Sequence, residues 1–348
     1  EVLVDSIDPE HEKPLYTDTP IVHKYIKELN RNTFGTDPEI VTVGEMSSTT
    51  IPNSIEYTNP DEHELSMVFT FHHLKVDYDN GEKWSKVPFN FMELKSLLST
   101  WQIEMDKGNG WNALFWNNHD QPWALNRFGD PVNYREKSAE MLATSLHLLR
   151  GTPYIYMGEE LGMMDPHYKS IDDYVDVEAL NGYQMLLDKG VDKDRAFEIV
   201  VSKSRDNSRV PMHWDDSKYA GFSNVKPWLM PTDQDEINVE KELASGEIFN
   251  HYQKLIKLRK TEPLIYAGHF KELLPDNKQV FAYERYLDDS NKKLVVFNNF
   301  YGNEVTVDLP AEYQDKDCTT LVNNYHNEIQ KTSKQITLQP YESLAIKI

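Results

Sequence analysis

The sequence has one cysteine, no long apolar run and a shortage of basic residues, and each shortage excludes a class of protein. A single cysteine, Cys318, cannot form an internal disulfide, so we expect a chain suited to the reducing cytoplasm. No apolar run approaches the roughly 18–20 residues that span a bilayer. The 36 basic residues are outnumbered by 57 acidic ones, which gives a formal net charge of −21. This charge argues against binding to nucleic acids or anionic membranes, because both require basic surfaces.

Motifs for cofactors and metals are also missing from the sequence. It contains no glycine-rich phosphate loop, internal repeat or low-complexity tract, so we expect no cofactor. His72 and His73 are adjacent, but neither a cysteine nor an HxxxH partner accompanies them as a metal site requires. We therefore expect these two histidines to have a structural or substrate-contacting role, and we predict no metal site.

The first 264 of the 348 residues alternate between helical and strand patterns. Alternation of this kind is typical of an α/β fold with a parallel sheet. The order resembles strands five to eight of a (β/α)8 barrel with the intervening helices. Strands are predicted at 40–44, 66–71, 111–116 and 153–156, and helices from Pro20, at 91–105, at about 139–149 and at 247–261.

Two later segments differ from this alternation. Residues 158–245 are long, polar and weakly periodic, which predicts a loop insertion that forms a wall of the site. After Pro263 the sequence turns to short alternating strands between Asn, Asp, Gly and Pro turns. We therefore predict a catalytic domain at 1–264 and a C-terminal antiparallel β-sandwich domain at 265–348.

Two acidic residues follow directly after predicted buried strands. Ile40–Val43 leads into Glu45, and Ala113–Trp116 leads into Asp120. In a parallel barrel the carboxyl ends of the strands open on one face, where chemistry is built from the loops. Two carboxylates brought to that face are what glycoside hydrolysis requires. The pair therefore predicts a sugar-cleaving site.

Five long motifs in fixed order resemble the α-glucosidase branch of the α-amylase superfamily. The resemblance runs from about residue 16 to the C-terminus. Within that branch the segments after Glu45 and at 72–78 look most like trehalose-6-phosphate hydrolases, and oligo-1,6-glucosidases are close behind. The motifs are VGEMSSTT, FHHLKVDYDNGEKW, GWNALFWNNHDQP, GTPYIYMGEELGM and SRDNSRVPMHWDD.

The resemblance implies roles for individual side chains. Glu45 would be the general acid/base, and Asp120 would stabilise the transition state. His119 would hydrogen-bond a hydroxyl of the sugar. Arg209 would pair with an aspartate at the closed end of the pocket, in a part of the family pattern that this sequence lacks, so we expect Arg209 to be unpaired. For Arg205 we expect only a contact within its own loop.

The sequence departs from the family pattern at the nucleophile. Family enzymes retain anomeric configuration through an aspartate in a Gly-Phe-Arg-x-Asp-Val segment, which is absent here. Asp5 is the nearest candidate, but it lacks the preceding arginine. The chain therefore resembles the C-terminal portion of a longer enzyme, with the missing N-terminal half as its partner. Trp123 and Met157 also replace the usual Arg and Gln of the family, which bears on specificity.

Basic residues between 75 and 86 stand out in an acidic protein. Lys75, Lys83 and Lys86 lie in or just after the second motif, and a sugar phosphate needs local positive charge. We predict that Lys75 and Lys83 bind phosphate. The leading hypothesis is a retaining α-glucosidase that hydrolyses trehalose 6-phosphate to glucose and glucose 6-phosphate. The alternatives are an oligo-1,6-glucosidase or dextran glucosidase acting on isomalto-oligosaccharides, and a non-catalytic homologue.

Overall fold

The computed structural model describes residues 17–348, with the backbone alone for Ser245. Its first part contains four short parallel strands that lie side by side in chain order. β1 pairs with β2 and β3 pairs with β4, while a parallel bridge from Val68 to Asn112 joins the two pairs. The carboxyl ends of all four strands therefore point to one side. The strands are β1 (Val43–Glu45), β2 (Met67–Phe69), β3 (Ala113–Leu114) and β4 (Thr152–Pro153).

Ten α-helices are found in the described part of the chain, and local sequence signals explain where several of them begin. Thr19 has extended backbone angles and Pro20 follows at the first helical position, where its fixed φ suits a helix. The Asn90 side chain accepts a hydrogen bond from the Glu93 amide at 3.1 Å and caps a helix that buries Phe91. The helices are α1 (Pro20–Asn32), α2 (Ile51–Thr58), α3 (Phe91–Lys107), α4 (Ala124–Phe128), α5 (Arg135–His147), α6 (Val177–Asp188), α7 (Lys193–Val201), α8 (Val239–Ser245), α9 (Glu247–Thr261) and α10 (Pro263–Tyr266).

The C-terminal part is built from antiparallel strands. Five strands form one sheet in the order β5-β6-β7-β11-β9, and β8 pairs with β10 in a second, two-stranded sheet. Alternation along β7 buries both faces of the large sheet, because Leu294 and Val296 join one core cluster while Val295 and Phe297 join the other. The strands are β5 (His269–Leu273), β6 (Val280–Tyr286), β7 (Lys293–Asn299), β8 (Val305–Asp308), β9 (Thr319–Asn323), β10 (Gln335–Leu338) and β11 (Ser343–Lys347).

Buried cations connect the two parts of the fold. The Lys95 ammonium on α3 donates to the carbonyls of Asn277 and Val280, each at 3.1 Å, and also to that of Leu274. Arg285 on β6 is fully buried and donates to the Leu148 carbonyl at 2.6 Å. Burial lowers the pKa of Arg285 to about 9. These bonds supply donors to backbone carbonyls at the junction of the two parts, so they fix the sheet domain against the helices.

The structure confirms the predicted α/β part followed by antiparallel strands, and it corrects several local predictions. The strand predicted at 153–156 is wrong beyond Pro153, and the one at 111–116 shrinks to two residues. Residues 158–245, predicted as a loop insertion, contain α6, α7 and α8. After Pro263 the alternating pattern predicts strands at 279–285, 293–298, 304–309, 335–338 and 343–348, and the structure adds β5 and β9, which that pattern does not indicate.

The first strand differs from its prediction in burial. Ile40, Val41 and Val43 were predicted to lie in a buried strand, yet their side chains are exposed. The reason is that β1 pairs only with β2, and within residues 17–348 no strand occupies its other edge. Among the described helices, none combines the length and the apolar character that crossing a bilayer requires.

Candidate active site

Glu45 lies at the carboxyl end of β1, beside a pocket with aromatic walls. Its partner in register is Phe69, and the Met46 amide donates to the Phe69 carbonyl at 2.9 Å, which holds the end of the strand in place. The pocket has a volume of about 200 Å³. Glu45 and His119 both line it, together with Phe69, Phe71, Phe115, Asn117, Asn118, Tyr154, Ile155 and Tyr156. The structure thus brings two predicted site residues to one cavity.

Asp120 lies on the loop that follows β3, and hydrogen bonds fix this loop from within. The Asn117 side chain donates to Glu159 at 2.7 Å and accepts from the Ala124 amide at 2.7 Å. The Asp120 amide donates to the Asn118 side chain at 2.9 Å. Because both ends of the loop are held, the Asp120 carboxylate has a defined position beside the pocket.

Two arginines from a distant loop reach Asp120. Arg209 donates to an Asp120 carboxylate oxygen at 2.7 Å and to the His119 carbonyl at 2.6 Å. The Arg205 guanidinium lies 3.6 Å from the same carboxylate oxygen. The prediction that Arg209 is unpaired is therefore wrong, because in this fold the Asp120 carboxylate is its partner. His119 Nε2 lies 3.6 Å from the other Asp120 oxygen.

Arg205 also connects Asp120 to two carboxylates that the sequence did not indicate. It forms a bidentate pair with Asp176, at 2.6 and 2.7 Å, and lies 3.0 Å from Glu178. The hydrogen bond from Arg205 lowers the pKa of Asp176. The prediction of a contact within its own loop is wrong, because Asp176 lies 29 residues away at the start of α6 and Arg205 also approaches Asp120. In the sequence, Asp176 and Glu178 show only the acidic pattern that is typical of a helix N-terminus. That pattern predicts where a helix begins and gives no information about which distant residues the two carboxylates contact.

The two predicted phosphate ligands lie on the segment between β2 and α3. Lys83 pairs with Glu178 at 2.6 Å, so it joins the charge network around Asp120. The Lys75 ammonium lies 3.5 Å from the Ser47 carbonyl, in the segment just after Glu45. Lys75 therefore contacts the segment that follows Glu45, and Lys83 is connected to Asp120 only indirectly, through Glu178 and Arg205.

A buried ion pair holds this segment against the loop that carries Asp120. Arg127 donates to both oxygens of Asp77, at 3.0 and 2.7 Å, and to the Gln121 side chain at 3.1 Å. Lys203 pairs with Asp77 from another side at 2.7 Å. The sequence did not indicate this triad, because its members are dispersed along more than 120 residues.

The paired histidines have structural contacts. His72 Nε2 lies 2.8 Å from the Thr49 carbonyl, and its ring stacks on Trp101 with 5.4 Å between centroids. His73 Nε2 lies 2.9 Å from the Phe115 carbonyl, and burial lowers the pKa of His73 to about 4. A neutral His73 thus positions the strand end from which the Asp120 loop begins.

One group in the described part of the chain has the donor types of a metal site. Ligand atoms of His23, Glu56 and Glu64 lie within 4.8 Å of one another. His23 Nδ1 is 3.0 Å from the Glu64 carboxylate, and Lys27 lies 3.5 Å from that carboxylate. His23 and Lys27 thus already contact Glu64 within the protein itself. Asp5, the candidate nucleophile, lies outside the described residues.

Trp123, which departs from the family pattern, is buried behind the pocket wall. Its indole N–H donates to the Asn207 carbonyl at 3.0 Å, and its amide donates to Asp165 at 2.9 Å. Its ring packs on Tyr156, a pocket residue, with 5.7 Å between centroids. Met157, the other departure, is exposed. Trp123 therefore contacts the pocket through Tyr156.

Comparison with known families assigns both parts of the chain. Residues 4–268 match the catalytic domain of α-amylase, and residues 270–344 match the C-terminal domain of maltogenic amylase. The chain belongs to the α-amylase family. The family assignment confirms an α-amylase-type fold followed by an antiparallel sheet domain, while the half barrel and the β-sandwich of the predicted fold class stay predictions. The relatives are named as glycoside hydrolases.

The proteins that are similar to this chain are named for two related activities. The chain is 46% identical to the trehalose-6-phosphate hydrolase of Bacillus subtilis (strain 168) over 97% of its own length and 60% of the relative's. It is 40% identical to the oligo-1,6-glucosidase of Bacillus cereus, over 94% of this chain and 59% of the relative. The crystal structure of Bacillus licheniformis trehalose-6-phosphate hydrolase matches with a TM-score of 0.92 and 47% identity, over 98% of this chain and 61% of that one. The chain thus spans about 60% of the length of these relatives.

Proposed function

We propose that this chain forms part of a retaining α-glucosidase that hydrolyses trehalose 6-phosphate to glucose and glucose 6-phosphate. The observation that carries this proposal is that two lysines of the segment between β2 and α3 contact residues that neighbour the predicted catalytic carboxylates in the chain or in the charge network. Lys75 lies beside the segment that follows Glu45, and Lys83 reaches the Asp120 network through Glu178. The 46% identity to a trehalose-6-phosphate hydrolase, against 40% to an oligo-1,6-glucosidase, supports the same substrate.

Each side chain of the site has a proposed task. Glu45, at the pocket edge, protonates the leaving oxygen and later activates water. Asp120 stabilises positive charge on the sugar ring in the oxocarbenium-like transition state, because a carboxylate already held by Arg209 needs little reorganisation. His119 lines the same pocket, within reach of a sugar hydroxyl. We assign the nucleophile to a residue outside positions 17–348.

The parallel strands are proposed to be strands five to eight of a (β/α)8 barrel. The open edge of β1 and one face of α1 support this assignment. Ile21, Tyr25 and Leu29 lie four residues apart on that helix and are 47%, 60% and 53% exposed. Such an apolar stripe is typical of a helix that packs on a neighbour. We propose that the first half of the barrel is the partner of this surface, and that the domains divide at 264/265.

The proposed substrate and the proposed cellular compartment are consistent with each other. A phosphorylated disaccharide is a small-molecule substrate of the cell interior. Cys318 is a free thiol, which suits the reducing cytoplasm. We therefore propose a cytoplasmic enzyme that acts on a disaccharide or oligosaccharide.

The test is a substrate panel. The chain is co-expressed with the N-terminal segment that the Bacillus licheniformis relative carries, and hydrolysis of trehalose 6-phosphate is compared with that of isomaltose. We expect turnover of trehalose 6-phosphate. Preferential turnover of isomaltose would instead support an oligo-1,6-glucosidase. A correctly assembled complex that hydrolyses neither sugar would support a non-catalytic homologue.

A further inference from the structure

A single carboxylate oxygen of Glu178 contacts two cations of the network around Asp120. Glu178 Oε2 accepts from the Lys83 ammonium at 2.6 Å and lies 3.0 Å from the Arg205 Nε. The Glu178 side chain is 38% exposed, whereas that of Asp176, which pairs with the same arginine, is 6% exposed. Glu178 is therefore the member of this network that solvent and ligands reach most easily.

The network around Asp120 carries no net charge. Its cations are Lys83, Arg205 and Arg209, and its carboxylates are Asp120, Asp176 and Glu178. A phosphate dianion that approaches Lys83 therefore meets a neutral cluster in a protein of net charge −21. Unless a carboxylate moves away, the dianion gains little from the lysine because the like charge of Glu178 opposes it.

Of the three carboxylates, Glu178 is the one that can move. Asp120 is held by Arg209 and Asp176 by a bidentate arginine pair, whereas Glu178 contacts both Lys83 and Arg205 through the single oxygen Oε2. Glu178 also lies in the first turn of α6, where the helix dipole favours a negative side chain even after Lys83 is lost. Glu178 is the more exposed member of this part-buried pair, so its displacement costs less than that of a buried carboxylate such as Asp176.

We propose that Glu178 sets the selectivity of this site between phosphorylated and neutral sugars, because the substrate phosphate must displace its carboxylate from Lys83. This inference rests on the proposed function and adds to it a residue whose negative charge opposes binding of the substrate phosphate at Lys83. Glu178 thus reduces the affinity for every anion, and only an anion that is also held in the sugar pocket overcomes it. Specificity of this kind combines attraction to one ligand with repulsion of others.

The experiment measures binding of trehalose 6-phosphate and trehalose by isothermal titration calorimetry to the co-expressed complex described above, which carries Glu45→Gln throughout so that the sugar is not hydrolysed during the titration. Glu178→Gln keeps an oxygen acceptor for Lys83 and Arg205 but removes the charge. We expect the ratio of the Kd for trehalose to that for trehalose 6-phosphate to rise roughly tenfold. The matched control is Glu198→Gln. Glu198 also lies between a lysine and an arginine, at 3.8 Å from Lys86 and 2.9 Å from Arg195, and its removal changes the net charge equally.

The possible results separate the inference from the proposed function. If trehalose 6-phosphate binds better than trehalose and Glu178→Gln leaves that ratio unchanged, the inference is wrong and the function stands. An equal gain in the Glu198 control would mean that total charge alone acts, which also overturns the inference. If neither the parent complex nor the complex with the Glu178 variant prefers the phosphorylated sugar, both proposals fail. In the double variant Glu178→Gln/Lys83→Met the gain should disappear, and thermal melts verify that each variant folds.

Discussion

Asn117 and Glu159 join the loop of Asp120 to the turn that follows β4. The Asn117 amide donates to the Glu159 carboxyl group at 2.7 Å, and the Tyr252 hydroxyl donates to its other oxygen at 2.7 Å. Glu159 is buried, and this burial raises the pKa of Glu159 to about 7. The position of a proposed catalytic residue thus depends on a carboxyl group that titrates near neutral pH.

This titration predicts a pH-dependent stability. Because the folded pKa lies above the ordinary 4.5, the proton on Glu159 stabilises the folded state fully below pH 4.5, and this stabilisation is lost as pH rises through 7. The free energy of unfolding falls by about 3 kcal/mol, because a pKa difference of one corresponds to about 1.36 kcal/mol. In Glu159→Gln the amide keeps an acceptor for Asn117 and does not titrate. Urea unfolding at pH 5 and pH 8 should show the variant gaining stability relative to the parent chain as pH rises. Parallel stability curves would show that Glu159 is ionised in both states.

Local patterns predicted the strand ends that carry Glu45 and Asp120, because a strand followed by an acidic motif needs only neighbouring residues. The charge network was not predictable in this way. Lys83 and Glu178 are 95 residues apart, and Arg209 and Asp120 are 89 apart, so only the tertiary fold pairs them. Strand β5 was missed for a related reason, since His-Phe-Lys-Glu-Leu has weak strand propensity and becomes a strand by pairing with β6.

We predict that the 348-residue chain alone has no measurable glucosidase activity. No Gly-Phe-Arg-x-Asp segment is present in its sequence, and the edge of β1 is open in the described residues. An open apolar edge also favours association between copies, so the chain should aggregate unless its partner covers that edge. The assay uses purified chain with nitrophenyl α-glucoside. Robust turnover would mean that the chain itself carries a nucleophile.

In the assembled enzyme, Glu45→Gln should abolish hydrolysis of substrates with poor leaving groups and spare the glycosylation step of activated aryl glucosides. An activated aryl leaving group needs little protonation, so loss of the acid mainly affects substrates that require it. The measurement compares pre-steady-state bursts for nitrophenyl α-glucoside and trehalose 6-phosphate. Equal losses for both substrates would argue against Glu45 as the acid.

Trp123→Phe should destabilise the fold and leave the substrate preference unchanged. Phenylalanine keeps most of the buried ring but leaves the Asn207 carbonyl without the indole donor, which costs about 1–3 kcal/mol. We expect a lower Tm with an unaltered ratio of activities on trehalose 6-phosphate and isomaltose. A shifted ratio would indicate that Trp123 controls specificity through Tyr156. Met157→Gln, at the exposed departure from the family pattern, is the companion variant that should leave Tm unchanged.

The last prediction concerns the phosphate ligands. Lys75→Ala or Lys83→Ala in the assembled enzyme should raise KM for trehalose 6-phosphate and leave KM for an aryl α-glucoside nearly unchanged. Charge-assisted hydrogen bonds contribute about 1.5–3 kcal/mol, or roughly ten- to a hundred-fold in affinity. The Lys83 effect should be the smaller one, because Glu178 already neutralises that ammonium at 2.6 Å. Lys86→Ala is the control, since Lys86 pairs with Glu198 outside this network.

Salt provides an independent check of the same prediction. Both lysines lie at least partly open to solvent, so added salt screens their attraction to the phosphate. The KM for trehalose 6-phosphate should therefore rise with ionic strength in the parent enzyme and rise less in either alanine variant, while the KM for the aryl glucoside stays flat. If both substrates weaken together in the variants, the lysines are structural. If neither substrate responds, the phosphate is bound by other residues and an isomaltose-type substrate becomes the better hypothesis.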